Sequence, residues 1–201
     1  FEKSKNRLKK LFNCKLKKVN FPLNYLKKID KKNKSNKKII KVSFLGEQRI
    51  HKGLKLIKKI IEPFSKNLNV RFTIHNPSNL DEINNLKKFK NTQIINKKFN
   101  IYQFVRFLNS HDVIIFPYNP ERYKYSYSST LVDTIILKKP FLVPDNTILS
   151  NFVSKINRKN FTFKNWDSKS IILGINKIIK NYAHLKKLMV VESKSFMKLL
   201  K

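Results

Sequence analysis

Short apolar runs alternate with amphipathic segments along most of the chain. The apolar runs have the length of β-strands and cover residues 39–45, 70–75, 93–95, 113–116, 141–143 and 161–163. In the segments between them, apolar residues recur at spacings of three and four, as at Leu54, Ile57, Ile60, Ile61 and Phe64, which places them on one face of a helix. A similar spacing predicts further helices near residues 80–86, 101–108, 130–137, 148–153, 171–179 and 185–196. This alternation predicts an α/β domain with a mainly parallel, six-stranded sheet flanked by helices.

The order of these strands determines where a ligand would bind. In the common doubly wound, Rossmann-like order 3-2-1-4-5-6, the topology reverses between the first and fourth strands, and ligands bind beyond the carboxyl ends of the strands at that switch. The loops that follow these strands are residues 46–53 and 117–129. Residues 117–129 combine so many hydroxyl, aromatic and charged side chains that we expect neither a strand nor a helix core there. We predict the binding site between these two loops.

Three regions of the chain are expected from composition. Residues 1–38 are rich in Lys and Asn and predict a linker or the remnant of an upstream N-terminal domain. Residues 39–165 form the predicted Rossmann-like domain, and residues 166–201 the C-terminal helices. Since the first residue is Phe, we expect the chain to be a piece of a longer protein.

The net charge of +33 would suggest an anionic partner such as nucleic acid or a membrane surface. However, only six of the 45 basic residues are arginine, and the many lysines accompany abundant Asn and Ile, as an AT-rich genome would encode. The lysines are spread over every segment rather than gathered with aromatics on one stripe, so we expect no nucleic acid partner. The single Cys14 excludes an internal disulfide, and no apolar run approaches the ~20 residues of a membrane span.

The scarcity of glycine limits how the chain can bind phosphate. With only Gly46, Gly53 and Gly174, neither a dinucleotide fingerprint nor a Walker-type loop can be written. Phosphate would then be bound by side chains and helix ends. The candidates are Arg49 and Lys52 on the first loop, which could also be solvated surface charges, and Ser128, Ser129 and Thr130 on the second, which could also be a plain helix cap.

One carboxylate, Asp133, lies in an otherwise apolar helix and must find hydrogen-bond donors there. It could close a capping box with Thr130, or it could bind the hydroxyl groups of a ligand. The four histidines have no metal-ligand spacing, so we expect no metal and no other cofactor. His51 adjoins Lys52 and could contact phosphate or remain solvent-exposed.

Three stretches resemble one known family. Residues 42–46 (VSFLG), followed by Lys52-Gly53, resemble a family pattern of a strand, a glycine and then Lys-Gly. Residues 113–117 (VIIFP) resemble a strand that ends in proline, and residues 131–143 (LVDTIILKKPFLV) resemble the helix and strand that follow. In order and spacing these stretches resemble the C-terminal, donor-binding domain of GT-B glycosyltransferases in the "glycosyl transferases group 1" class.

The loop before the helix resembles one subgroup of that class, which has two tyrosines and a Ser-Gly there. Here the matching residues are Tyr118, Tyr123, Tyr127, Ser128 and Ser129. The departures from the family pattern are Asp133 for Glu, Lys138 for Gly, Ser129 for the subgroup's Gly, and Tyr125 for an upstream Glu.

The resemblance implies that this domain binds a nucleotide-diphospho-sugar donor without a metal. Arg49 and Lys52 would neutralise the diphosphate leaving group, which is electrostatic catalysis. Asp133 would bind the ribose hydroxyls, the amides of Ser128 and Ser129 would contact phosphate, and the donor site would also include Gly46, Tyr118, Tyr123 and Thr130.

The acceptor is expected to be a glycan or a lipid-linked sugar, as in polysaccharide or lipopolysaccharide biosynthesis, held by an N-terminal domain. Without that domain we expect no transfer. The resemblance also implies a cytoplasmic protein with peripheral contact to the inner face of an anionic membrane. Two alternatives remain: a non-catalytic α/β nucleotide-binding or regulatory module in which the departures at Asp133 and Tyr125 have removed activity, and a basic nucleic-acid-binding protein.

Overall fold

The computed structural model describes residues 39–199, with the side chain of residue 199 left aside. Within this range six parallel strands form one sheet in the order β3-β2-β1-β4-β5-β6. Their bounds are β1 Ile40–Phe44, β2 Val70–His75, β3 Thr92–Ile95, β4 Val113–Ile115, β5 Phe141–Pro144 and β6 Thr162–Phe163. The predicted α/β class and the predicted strand order are both confirmed. The linker predicted for residues 1–38 lies outside the described residues.

Helices cover both faces of the sheet. They are α1 Leu54–Ile61, α2 Asp81–Asn84, α3 Ile101–Asn109, α4 Pro120–Tyr123, α5 Ser129–Ile136, α6 Ser168–Lys180 and α7 Tyr182–Leu199. Shorter 3-10 turns occupy Ile50–Lys52, Glu62–Phe64, Asn85–Lys88, Ser150–Phe152 and Arg158–Asn160. None of the helices between residues 39 and 199 is both long enough and apolar enough to span a bilayer.

β1 and β4 are central because their residues are buried on both sides. Val42 pairs with Phe72 of β2 on one side and with Val113 of β4 on the other, and all three side chains are fully buried. Since β2 and β3 follow β1 in one direction and β5 and β6 follow β4 in the other, the topology reverses between β1 and β4. The loops after these two strands are therefore neighbours at the carboxyl edge of the sheet.

The two C-terminal helices pack onto this sheet domain. Ile171, Ile175 and Ile178 of α6 are fully buried in the same apolar core as the strands. Gly174 lets α6 approach β5 closely, because a Cβ at that position would lie 2.8 Å from the methyl carbons of Leu142. Helix α7 packs on α5, whereas α6 packs on α1.

Two local predictions are wrong. The helix predicted near residues 148–153 is reduced to the 3-10 turn Ser150–Phe152, and Val153 is extended; the hydroxyls of Thr147 and Ser150 bond to nearby carbonyls instead. In the loop of residues 117–129, the short helix α4 forms, since the Asn119 side chain accepts hydrogen bonds from the amides of Glu121 and Arg122. The sequence Asn119-Pro120 is a typical N-cap followed by proline in the first turn, a signal that the overall polarity of the loop obscured.

Candidate functional site

The loops that follow β1 and β4 are joined by direct contacts. Gly53 has a φ of +83° and closes the turn Ile50–Lys52, and a Cβ there would lie 2.8 Å from the Cβ of Pro117. The amide of Asn119 donates to the carbonyl oxygen of His51 at 2.9 Å. The two loops predicted to share a site do meet, and each restricts the position of the other.

A buried glutamine, which the sequence did not single out, holds the first loop to the sheet. The side-chain amide of Gln48 donates to the carbonyl oxygens of Gly46 and His75, each at 2.9 Å. These bonds tie the loop after β1 to the end of β2. No periodicity in the sequence marks Gln48, because its distant acceptor belongs to another strand.

Lys52 extends from this loop into the candidate site. Its ammonium nitrogen lies 5.8 Å from the ring centre of Tyr118 and would be 3.8 Å from a Cβ on Gly46. Burial lowers the pKa of Lys52, and the neighbouring charge of Arg49 lowers it further. A partly desolvated ammonium has lost part of its hydration, so an anion that pairs with it gains more than it would at an exposed lysine.

Two stacked tyrosines form the wall of the site next to Lys52. The rings of Tyr118 and Tyr123 stack with their centres 4.3 Å apart, and the Phe116 ring packs edge-on against Tyr118. Both tyrosines are buried, and burial raises the pKa of each phenol. The two hydroxyls therefore stay neutral and can donate hydrogen bonds at physiological pH.

Across from Lys52 lies the first turn of α5. The hydroxyl of Ser128 is the N-cap and accepts from the amide of Leu131 at 3.4 Å. The amides of Ser129 and Thr130 are the first in the helix and have no acceptor within it, so they carry the positive end of the helix dipole.

These groups border an open cavity of about 350 Å³. The residues that line it are Lys52, Tyr118, Tyr123, Tyr127, Ser128, Ser129 and Thr130. Six of these seven residues belong to the candidate site residues proposed from the sequence; the seventh is Tyr127. A cation, two buried phenols and free amides around one cavity form a site for an anion that also accepts hydrogen bonds.

Arg49 and Asp133 are not among the residues that line the cavity. The Arg49 side chain is 57% exposed and pairs with Glu47, its Nε donating to that carboxylate at 2.9 Å. Glu47 also accepts a hydrogen bond from the hydroxyl of Ser78 at 2.9 Å. Asp133 is 6% exposed and lies one turn further along α5 than Thr130.

The capping box suggested for Thr130 and Asp133 is not formed. Because the N-cap is Ser128, Thr130 is already the second helical residue and Asp133 the fifth. The predicted capping box took Thr130 as the N-cap, two residues after the true N-cap, Ser128. Asp133 is therefore the fifth residue of the helix and not the third, where the partner of a capping box lies.

Tyr125 and His51 also do not line the cavity. The Tyr125 side chain is 61% exposed, and the ammonium of Lys124 lies 5.9 Å from its ring centre. The His51 ring tilts against Tyr123 at 6.1 Å, and burial lowers the pKa of this imidazole, as does the charge of Lys52. Between residues 39 and 199, no three His, Cys, Asp or Glu side chains gather as they would around a metal ion.

Several solved structures have a fold similar to that of this chain. The C-terminal domain of a glycosyl transferase group 1 family protein, LpcC, from Francisella tularensis matches with a TM-score of 0.62 and 12% sequence identity, over 80% of this chain and 85% of that one. The chain has the fold of a GT-B C-terminal domain. The chain also matches the catalytic domain of cholesterol-alpha-glucosyltransferase from Helicobacter pylori, with a TM-score of 0.64 and 13% sequence identity, over 80% of this chain and 98% of that one.

A third GT-B match is HepE from Anabaena in complex with UDP, with a TM-score of 0.60 and 11% identity over 80% of this chain and 44% of that one. No protein-family model matches the sequence, and no curated protein does. At identities this low, the likeness establishes the GT-B fold and leaves the chemistry to be argued from the site.

Proposed function

We propose that this domain binds the diphosphate of a nucleotide-sugar donor in the cavity between Lys52 and the first turn of α5, and that it serves a glycosyltransferase. One observation carries the proposal. The partly buried ammonium of Lys52 and the amides of Ser129 and Thr130 border the same cavity at the topological switch of the sheet. The UDP complex of HepE, a protein of the same fold, supports a nucleotide diphosphate as the ligand.

The chemistry of transfer needs such a site. The bond that breaks joins the anomeric carbon of the sugar to an oxygen of the diphosphate, and that oxygen gains negative charge as the bond lengthens. Lys52 and the α5 dipole stabilise this charge more strongly in the transition state than in the bound donor, which accelerates the step without an enzymic nucleophile or a metal. The buried phenols of Tyr118 and Tyr123 can donate hydrogen bonds to the same oxygens.

Three further residues complete the proposed donor site. Gly46 leaves space beside the Lys52 ammonium for a phosphate oxygen, because a side chain there would begin 3.8 Å from that nitrogen. Arg49 would reach the diphosphate after leaving Glu47. Asp133 would accept hydrogen bonds from the ribose hydroxyls. The acceptor, a glycan or a lipid-linked sugar, would be bound outside residues 39–199, at the inner face of the cytoplasmic membrane.

Calorimetric titration with the diphosphates of uridine, guanosine and adenosine, and with the matching nucleosides, tests the proposal. We expect at least one diphosphate to bind more tightly than its nucleoside. We also expect Lys52→Met to lower that affinity about tenfold, since a charged hydrogen bond contributes about 1.5 to 3 kcal/mol. Lys55→Met is the matched control, because Lys55 is exposed on the outer side of α1. Equal losses in both variants would mean that general positive charge, rather than the cavity, attracts the nucleotide.

A second candidate is a domain of the same fold that binds the nucleotide without transferring sugar. It is favoured by Tyr125, which is 61% exposed at the position where the family resemblance places a glutamate. A tyrosine directed to solvent supplies no carboxylate to the sugar. If nucleotide sugars bind but are neither hydrolysed nor transferred in the full-length protein, this second function is the correct one.

A further inference from the structure

The chain has one tryptophan, Trp166, and it does not line the cavity of the candidate site. Trp166 lies between β6 and α6 and packs against the apolar core. Its indole Nε1 donates a hydrogen bond of 2.9 Å to the carbonyl oxygen of Pro117. Pro117 is buried and follows the last ladder bond of this region, in which the amide of Phe116 donates to Leu142. A buried carbonyl that has left the ladder needs a donor, and Trp166 supplies it.

The same carbonyl is confined by Gly53. A Cβ on Gly53 would clash with the Pro117 oxygen and with its ring, so the backbone of the first loop lies directly against Pro117. The hydrogen bond from Asn119 to His51 adds a second link two residues later. Pro117 is thus held between Gly53 and Trp166, and Tyr118 is the next residue.

Tyr118 connects Pro117 to the cavity, because it is the next residue and lines the cavity wall. Its ring lies 5.8 Å from the Lys52 ammonium and stacks on Tyr123, and its hydroxyl meets the side chain of Ser128, the N-cap of α5. A shift at Pro117 would therefore move the wall that separates the cation from the helix amides. Trp166 itself does not line the cavity, so we expect its effect on a ligand to pass through the Pro117 carbonyl that it holds.

We propose that Trp166 is a positioning residue for diphosphate binding: by holding the Pro117 carbonyl it sets the distance between Lys52 and the first turn of α5. This inference rests on the proposed function. It is specific to phosphate, since Lys52 and the α5 amides would contact the diphosphate and not the nucleoside.

The test compares Trp166→Phe with a matched control. Trp166 holds the chain just after β4, and the control residue, Tyr182, holds it just before β4. Tyr182→Phe also removes one hydrogen bond from a half-buried ring, the 3.2 Å bond from its hydroxyl to Asp112, which precedes β4. Calorimetry measures the ratio of affinities for a nucleoside diphosphate and its nucleoside, using the uridine, guanosine and adenosine pairs. We expect Trp166→Phe to lower this ratio about threefold to tenfold, the effect of one hydrogen bond, and Tyr182→Phe to leave it unchanged.

A second variant separates the hydrogen bond from the packing of the ring. Because Trp166 is the sole tryptophan of these 201 residues, this chain can be produced with benzothienylalanine at that one position, a residue with the shape of tryptophan and a sulfur in place of the N–H. We expect the same loss of ratio in this protein. An unchanged ratio in both variants, with tight diphosphate binding by the wild type, overturns the inference alone. A wild type that binds no diphosphate better than its nucleoside overturns the proposed function and the inference together.

Discussion

Gly53 and Pro117 are in such close contact that only a residue without a side chain can occupy position 53. A Cβ there would lie 2.8 Å from the Cβ and 2.9 Å from the Cγ of Pro117. The φ of +83° adds strain for any other residue. The contact joins the two loops of the candidate site, so the local requirement for glycine is also a requirement of the site.

We expect Gly53→Ala to lower the free energy of unfolding by about 2 to 4 kcal/mol, from the clash and from the left-handed backbone. Gly46→Ala is the matched control. Gly46 has the same φ of +83°, but its Cβ would meet only the flexible end of Lys52 at 3.8 Å, so we expect a loss of about 1 to 2 kcal/mol. Urea denaturation monitored by circular dichroism measures both. Equal losses would show that the backbone conformation, and not contact with Pro117, determines the effect.

Glu47 is expected to compete with the diphosphate for Arg49. Its carboxylate accepts from Arg49 and from Ser78, and the hydrogen bond with Arg49, followed by that from Ser78, lowers the pKa of Glu47. Glu47→Gln should free the guanidinium and raise the affinity for a nucleoside diphosphate about twofold to fivefold, the range for an exposed ion pair. Ser78→Ala leaves the ion pair in place and serves as control. Weaker binding by Glu47→Gln would mean that Arg49 acts only in the paired form.

The proposed role of Asp133 as the acceptor for the ribose hydroxyls can be tested by mutation. Asp133→Asn keeps the shape and removes the charged acceptor, so the affinity for a nucleoside diphosphate should fall by about 1.5 to 3 kcal/mol. A diphosphate whose ribose lacks both hydroxyls should bind the wild type poorly and should lose little more on mutation, because the two changes remove the same contact.

The control for this cycle is Thr134→Val, which removes the neighbouring hydrogen bond from the Thr134 hydroxyl to the carbonyl of Thr130. It should leave the nucleotide affinities unchanged. Fully additive losses for Asp133→Asn and the missing hydroxyls would assign Asp133 a purely structural role in α5.

Glu192 should make the anchoring of α7 dependent on pH. Burial raises the pKa of this carboxyl, but hydrogen bonds from Asn157 and from the side chain and backbone of Ser154 outweigh burial and lower the pKa below its usual value. A lowered folded-state pKa means that the stabilisation is complete above the unfolded pKa near 4.5 and is lost as the pH falls through the folded-state pKa.

We therefore expect Glu192→Gln to lower the free energy of unfolding by about 1 to 3 kcal/mol at pH 7, with a smaller difference from wild type in acid. Denaturation curves between about pH 3 and pH 7 measure this convergence. The control is Glu82→Gln, on the exposed side of α2, which should leave the free energy of unfolding unchanged across this pH range. A difference that stays constant with pH would show that Glu192 acts by shape alone.

Local patterns in the sequence were sufficient for the sheet and for placing the two loops of the candidate site side by side. Apolar runs such as residues 113–116 are buried on both faces, and a run of that kind has few alternatives to a central parallel strand. Once the strand order was predicted, the loops after β1 and β4 had to be neighbours, because parallel strands end at the same edge. The placement of Lys52 and Ser128 near one another follows from that rule.

Tertiary contacts decided what each side chain in those loops does. Arg49 and Lys52 are equivalent in the sequence, but Glu47, itself held by Ser78 from beyond β2, keeps Arg49 outside the cavity while Lys52 lines it. Gln48 and Trp166 hold the two loops through carbonyls that are 27 and 49 residues away in the chain. Hydrophobic periodicity repeats over a few residues and can be seen locally, whereas a single hydrogen bond across the fold leaves no repeating pattern in the sequence.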